Sequence, residues 1–115
     1  MMDDVILHNP RCSKSRGALE LLRERGANVA VREYLSDSPS VEELREVVRM
    51  LGVRPIEIVR KAETPYTDLR LSEATPDDEV LAAMAEHPIL IERPIVVIGG
   101  RAVIGRPPEK ILELL

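Results

Sequence analysis

The chain holds no phenylalanine and no tryptophan, and Tyr34 and Tyr66 are its only aromatic residues. Its core must therefore be aliphatic, and the aromatic platforms on which single-stranded nucleic acid usually stacks are missing. It has one cysteine, Cys12, so no internal disulfide forms, which fits a reducing, cytoplasmic compartment. With that single cysteine and two distant histidines, His8 and His87, metal-ligand spacing is missing as well. No apolar run approaches the roughly 20 residues that span a bilayer. The opening residues, Met1-Met2-Asp3-Asp4, offer neither the basic segment nor the long apolar stretch of a secretory signal. A net charge of -4 with interspersed signs suits a soluble protein and argues against broad binding to a phosphate backbone. There is no internal repeat and no low-complexity tract, and 115 residues are expected to form one domain.

What is present is an ordered series of short elements. Val5-Ile6-Leu7 reads as a buried strand ending at Pro10. Ala18, Leu19, Leu21 and Leu22 recur at helical spacing until Gly26. Val29 to Tyr34 reads as a second strand, which completes a βαβ unit with a right-handed crossover and parallel neighbours. After Ser36-Asp37-Ser38-Pro39, Ser40 and Glu43 form a capping box for a helix with Val41, Leu44, Val48 and Leu51 on one face, closed by Gly52. Pro55 opens a short helix with Arg60 and Lys61 at its C-terminal end, and Thr75-Pro76-Asp77-Asp78 opens another that ends at His87-Pro88. Ile95 to Ile98 and Arg101 to Ile104, joined by Gly99-Gly100, form a strong hairpin signal. Pro107-Pro108 then opens a terminal helix expected to turn Ile111, Leu112 and Leu115 inward. The whole predicts an α/β, thioredoxin-like fold: βαβ and ββα around a four-stranded mixed sheet, with a helical insertion. In that arrangement Pro94 stands just before the third strand, and Arg93-Pro94 is expected to be cis.

Cys12 lies where the first strand becomes the first helix, inside His8-Asn9-Pro10-Arg11-Cys12-Ser13-Lys14-Ser15-Arg16. Unpaired N–H groups and partial positive charge at a helix start favour thiolate over thiol. Such settings lower a cysteine pKa from about 8.5 to roughly 3.5–7.5. The plainer reading, a small buried hydrophobe, sits poorly with polar and basic surroundings. His8 and Ser15 have structural readings too, as a strand-end histidine and a helix cap, and arginines are more often solvated than functional.

Beyond the Cys12 stretch, three further segments stand out: Arg60-Lys61 followed by Glu63-Thr64-Pro65-Tyr66, the run from His87 to Val97, and Gly105-Arg106-Pro107-Pro108. Together the four resemble the ArsC family, the glutaredoxin-linked arsenate reductases, over nearly all of the chain. The resemblance implies a single thioredoxin-fold domain over 1–115 with its helical insertion at about 37–88. It implies that Cys12 is the nucleophile, that Arg60, Arg93 and Arg106 bind the oxyanion, and that His8, Ser15 and Arg16 support the thiolate. No bound cofactor is expected; glutathione is the implied co-substrate and glutaredoxin the implied partner, with neither nucleic acid nor membrane involved.

The chemistry agrees with those residue types. Arsenate is a tetrahedral oxyanion, and guanidinium forks match its oxygens while keeping their charge. Reduction of arsenic by a thiol couple needs a second sulfur, which this chain lacks and an outside thiol must bring. Two other functions remain open from sequence. An Spx-type regulator that binds RNA polymerase shares the fold, but such regulators typically sense redox state through a Cys-x-x-Cys pair, and here Ser15 takes the fourth position. A general glutathione-dependent thiol oxidoreductase would need no convergent arginines.

Overall fold

Val5, Ile6 and Leu7 are all buried, as an apolar run is when its strand lies inside a sheet covered on both faces. In the computed structural model, which describes residues 2–115, this run is β1 (Val5–His8). It pairs in parallel with β2 (Ala30–Glu33) and antiparallel with β3 (Ile95–Ile98). β4 (Arg101–Ile104) pairs antiparallel with β3, so the strand order is β2-β1-β3-β4. Between β3 and β4, Gly99 and Gly100 both take positive φ, 59° and 75°, which a two-residue hairpin turn requires if its twist is to match the strands. α1 (Ser13–Glu24) connects β1 to its parallel neighbour. Its Ala18, Leu19 and Leu22 pack with Ile6 and Val96 of the sheet and with Ile111 and Leu114. This is the thioredoxin-like α/β arrangement expected from the order of elements.

The last segment differs from its expected form. Pro108–Leu114 winds as a 3-10 helix. With three residues per turn, Ile111 and Leu114 stack on one side and are the buried pair. Leu112 is half-buried, and Leu115 is 52% exposed.

The chain divides into two compact units, one running to Asp37 and resuming over Arg93–Leu115, the other being Ser38–Glu92. The first holds the sheet, α1 and the terminal 3-10 helix. The second is helical. Its α2 (Val41–Leu51) begins with the reciprocal cap: the Glu43 N–H donates to Ser40 Oγ at 3.1 Å, and the Ser40 N–H donates to Glu43 Oε1 at 3.0 Å. A 3-10 turn at Pro55–Ile58, α3 (Thr64–Asp68), α4 (Asp77–Glu86) and a 3-10 turn at Pro88–Leu90 follow. α3 and the Pro88–Leu90 turn, five and three residues long, have no counterpart in the sequence expectation because they are too short to show a period. Val59 and Ile91 form an antiparallel bridge, in which the Arg60 N–H donates to the Leu90 carbonyl at 2.8 Å and the Glu92 N–H to the Ile58 carbonyl at 2.9 Å. That bridge sets Arg60 beside Glu92. Among the described residues no helix is long and apolar enough to cross a membrane.

Candidate active site: a cysteine at the head of the first helix

The turn after β1 is built to deliver Cys12 as the cap of α1. The Cys12 N–H donates to the Asn9 carbonyl at 3.0 Å, and the Arg16 N–H donates to the Cys12 carbonyl at 3.0 Å, which begins the helix. Cys12 itself has extended backbone angles, φ −97° and ψ 122°. The sulfur thus occupies the place where a capping serine or aspartate would present oxygen to the first N–H groups. Burial pushes the thiol pKa up, but hydrogen bonding from the N–H groups of Ser15 and Lys14, with the charge and hydrogen bond of Arg93, outweighs it and holds Cys12 below its ordinary value. Arg106 adds a long contact, its Nη1 lying 3.9 Å from Sγ while also donating to the Arg93 carbonyl at 3.3 Å. No acidic residue stands in the first turn of α1 to oppose a thiolate.

Ser15 does its work on the other side of the turn. Its hydroxyl meets His8 Nδ1 at 2.6 Å and accepts from the Asn9 N–H at 3.0 Å, and both His8 and Ser15 are buried. Its main chain, not its side chain, serves the sulfur. Burial lowers the His8 pKa, Arg23 and Arg16 lower it further, and Glu33 opposes them without reversing the sign. His8 is therefore favoured as neutral imidazole, which holds the turn by hydrogen bonding rather than by charge. Arg16 ties the same turn from outside, its Nη1 donating to the Pro10 carbonyl at 3.0 Å. Asn9 contributes three times, through its N–H, its carbonyl and an Oδ1 that accepts from the Arg11 N–H at 3.0 Å. Its position three residues before a turn cysteine was the only sequence signal for it.

Arg93 and Arg106 each precede a proline, and both bonds, Arg93-Pro94 and Arg106-Pro107, are cis. The first was expected; the second was not. Their segments are fastened together, since the Gly105 N–H donates to the Pro94 carbonyl at 2.9 Å. A Cβ at Gly105 would lie 3.0 Å from Pro94 Cγ and 3.2 Å from Ile111 Cγ2, so any larger residue would press on both side chains and glycine keeps this junction close without displacing them. Sequence reasoning took in Gly105 within the Gly105-Arg106-Pro107-Pro108 segment but gave it no role of its own. Arg93 Nε and Nη1 are buried beside this junction.

Arg60 belongs to the Ser38–Glu92 unit. There its Nη1 meets Glu63 Oε2 at 2.7 Å and its Nε lies 3.9 Å from Glu92 Oε1, with all three side chains mostly buried. Within the Cys12 unit the structure gathers Cys12, His8, Ser15, Arg16, Arg93 and Arg106. Among the described residues no cluster of His, Cys, Asp and Glu is arranged to hold a metal ion.

A mixed four-stranded sheet with one cysteine capping its first helix, its thiol held low by main-chain N–H groups and an arginine, defines a thioredoxin-like protein with a single thiol. The chain belongs to the ArsC family, whose model matches residues 7–114. It is 45% identical over 117 residues to the arsenate reductase of Neisseria meningitidis, with the whole of both chains covered. It is 45% identical over 112 residues to the uncharacterized protein YfgD of Escherichia coli, covering 96% of this chain and 94% of that one. Among solved structures, an arsenate reductase from Vibrio cholerae superposes with a TM-score of 0.91 at 51% identity, covering 99% of this chain and 98% of that one.

Proposed function

We propose that this protein is an arsenate reductase of the cytoplasm in which Cys12 attacks arsenate and glutathione, with glutaredoxin, supplies the electrons. The observation that carries the proposal is the Cys12 sulfur itself, capping α1 with its pKa lowered and with Arg93 and Arg106 at its side. A thiolate in an electropositive pocket is the nucleophile that an oxyanion substrate needs, and arginines hold that anion without losing their charge. The names of the relatives from Neisseria meningitidis and Vibrio cholerae support arsenate as that oxyanion.

In the proposed reaction Arg60, Arg93 and Arg106 hold the arsenate oxygens, and the Cys12 sulfur bonds to arsenic as hydroxide leaves. Glutathione then attacks the Cys12 sulfur. The sulfur–arsenic bond breaks with its electron pair remaining on arsenic, which departs as arsenite, and Cys12 is left in a mixed disulfide with glutathione. Glutaredoxin clears that disulfide. His8, Ser15 and Arg16 act on the turn that presents the thiolate and not on arsenate.

The test is arsenate reduction with glutathione and glutaredoxin, comparing the wild type with Cys12→Ser. Wild type turns over and the variant does not. With glutaredoxin omitted, intact mass shows one glutathione on Cys12. Sustained turnover with thioredoxin as the sole reductant and no glutathione contradicts the electron route.

A further inference from the structure

An open cavity of about 470 Å³ lies against α1 beyond Cys12, lined by His8, Pro10, Arg16, Leu19, Glu20 and Arg23. Arg16, Glu20 and Arg23 follow one another at steps of four and three residues on one face of the helix, the spacing at which opposite charges normally pair. They do not pair. Among the described residues neither arginine meets a carboxylate and Glu20 meets no cation, whereas Arg32, Arg45, Arg49, Arg54 and Arg60 all have acidic partners. Arg16 commits only its Nη1, to the Pro10 carbonyl. The cavity therefore offers two cationic forks and one carboxylate, all uncommitted to one another, over an apolar floor at Leu19, which is 9% exposed.

We propose that this cavity is the subsite for the thiol co-substrate, taking the charged arms of a glutathione-type peptide: Arg16 and Arg23 receive its carboxylates and Glu20 its ammonium group. The choice of glutathione rests on the proposed function; the charge pattern rests on the cavity alone. Glutathione carries two carboxylates and one ammonium around a central thiol, which matches this set in number and sign. The reach also fits. Arg16 begins about one helical turn, about 5.4 Å, beyond Cys12, and an extended peptide arm covers about 3.3–3.6 Å per residue, so sulfur at Cys12 leaves an arm able to enter the cavity at Arg16. Arg23 starts about 16 Å along the helix, but its side chain lines the same cavity as His8 and Arg16 and meets the arm there. Such a subsite orients the incoming sulfur and raises its local concentration, which speeds exchange without altering the thiol.

The test omits arsenate, so that it stands or falls apart from the reductase activity. In the exchange the Cys12 thiolate attacks one sulfur of oxidised glutathione, a Cys12–glutathione disulfide forms, the original disulfide breaks, and one glutathione leaves as thiolate. Rates are followed by intact mass with oxidised glutathione and with the uncharged 2-hydroxyethyl disulfide, for wild type, Arg23→Gln, Arg23→Glu and Glu20→Gln. Both side chains are exposed, so the variants are expected to fold. Arg23→Gln lowers the glutathione rate about fivefold and Arg23→Glu lowers it further, while the rates with 2-hydroxyethyl disulfide stay within about twofold of wild type. Added salt shrinks the difference. Equal rates with oxidised glutathione in wild type and Arg23→Glu, or parallel losses with both disulfides, would overturn the subsite. A wild type that exchanges charge-selectively yet fails to reduce arsenate would sink the reductase activity and leave the subsite supported.

Discussion

Arg106 and Arg60 show how differently the two units use the same side chain. In the sheet-bearing unit, Arg106 Nη1 has the Cys12 sulfur and a main-chain carbonyl as its neighbours, and Arg93 lends charge to the same sulfur. In the helical unit, Arg60 is held by the carboxylates of Glu63 and Glu92. The wider surroundings follow the same division. The helical unit is laced with opposite charges, Arg45 with Asp78 at 3.4 Å, Arg54 with Asp77 at 3.1 Å and Lys61 with Glu73 at 3.2 Å, while the first turn of α1 carries no acid. An arginine facing a thiol and carbonyls adds net positive potential, which draws an anion. An arginine already neutralised must exchange a carboxylate before it can hold one. The exposed pairs of the helical unit contribute little stability individually, so their main consequence is this cancellation of field.

The comparison breaks first on arsenate turnover. Arg93→Lys keeps the charge but loses the fork, and is expected to lower turnover about a hundredfold; Arg60→Lys, whose starting residue is already engaged by carboxylates, is expected to lower it about tenfold. Melting temperatures should stay nearly unchanged in both. A reversed order of the two losses would end the contrast between the units.

The thiol itself sharpens it. Alkylation of Cys12 by iodoacetamide follows the thiolate fraction, so the wild-type rate should level off at a pH below that for a free cysteine and fall about tenfold per unit below its midpoint. Arg93→Gln removes a positive charge that favours thiolate and should move the midpoint up, whereas Arg60→Gln should leave it in place. Equal shifts would mean that the two arginines act on the thiol alike.

Smaller effects concern the scaffold. Gly105→Ala forces a methyl group against Pro94 and Ile111 and is expected to destabilise by about 1–3 kcal/mol, with slower Cys12 alkylation as the junction holding Arg93 shifts. Ser15→Ala leaves buried His8 Nδ1 and the Asn9 N–H without their shared partner, at a similar cost of about 1–3 kcal/mol. Chemical denaturation measures both. Ser40→Ala, in the helical unit, removes a cap worth about 1 kcal/mol and should leave the alkylation profile of Cys12 untouched. A changed profile there would show that the helical unit reaches the thiol.

Elements with a local cause were legible in the sequence. The Ser40–Glu43 box, the glycine at the end of α2 and the Gly99-Gly100 turn each carry their own chemistry, and each stands where expected. Where cause was not local, expectation slipped. The inward face of the last segment depends on whether it winds with three or 3.6 residues per turn, and Leu114 replaced Leu112 and Leu115 because three prevailed. In the site, Cys12 at a helix start was readable, as was a strand-end His8. The bond that Ser15 makes was not, since a serine three residues into a helix can turn its hydroxyl to sulfur, to solvent or to the preceding strand.

By itself, then, the order of apolar runs, caps and turns determined a mixed four-stranded sheet with a lone cysteine at the head of its first helix, because each of those signals acts over a few neighbouring residues. Only the tertiary structure decided which groups act on that cysteine. Arg93 and Arg106 stand 81 and 94 residues from it in the chain. They come beside its sulfur because β3 runs antiparallel to β1, the hairpin returns the chain, and Gly105 lets the Arg106 segment close on Pro94. Burial and an opposing charge act through space, and no local pattern of residues records them.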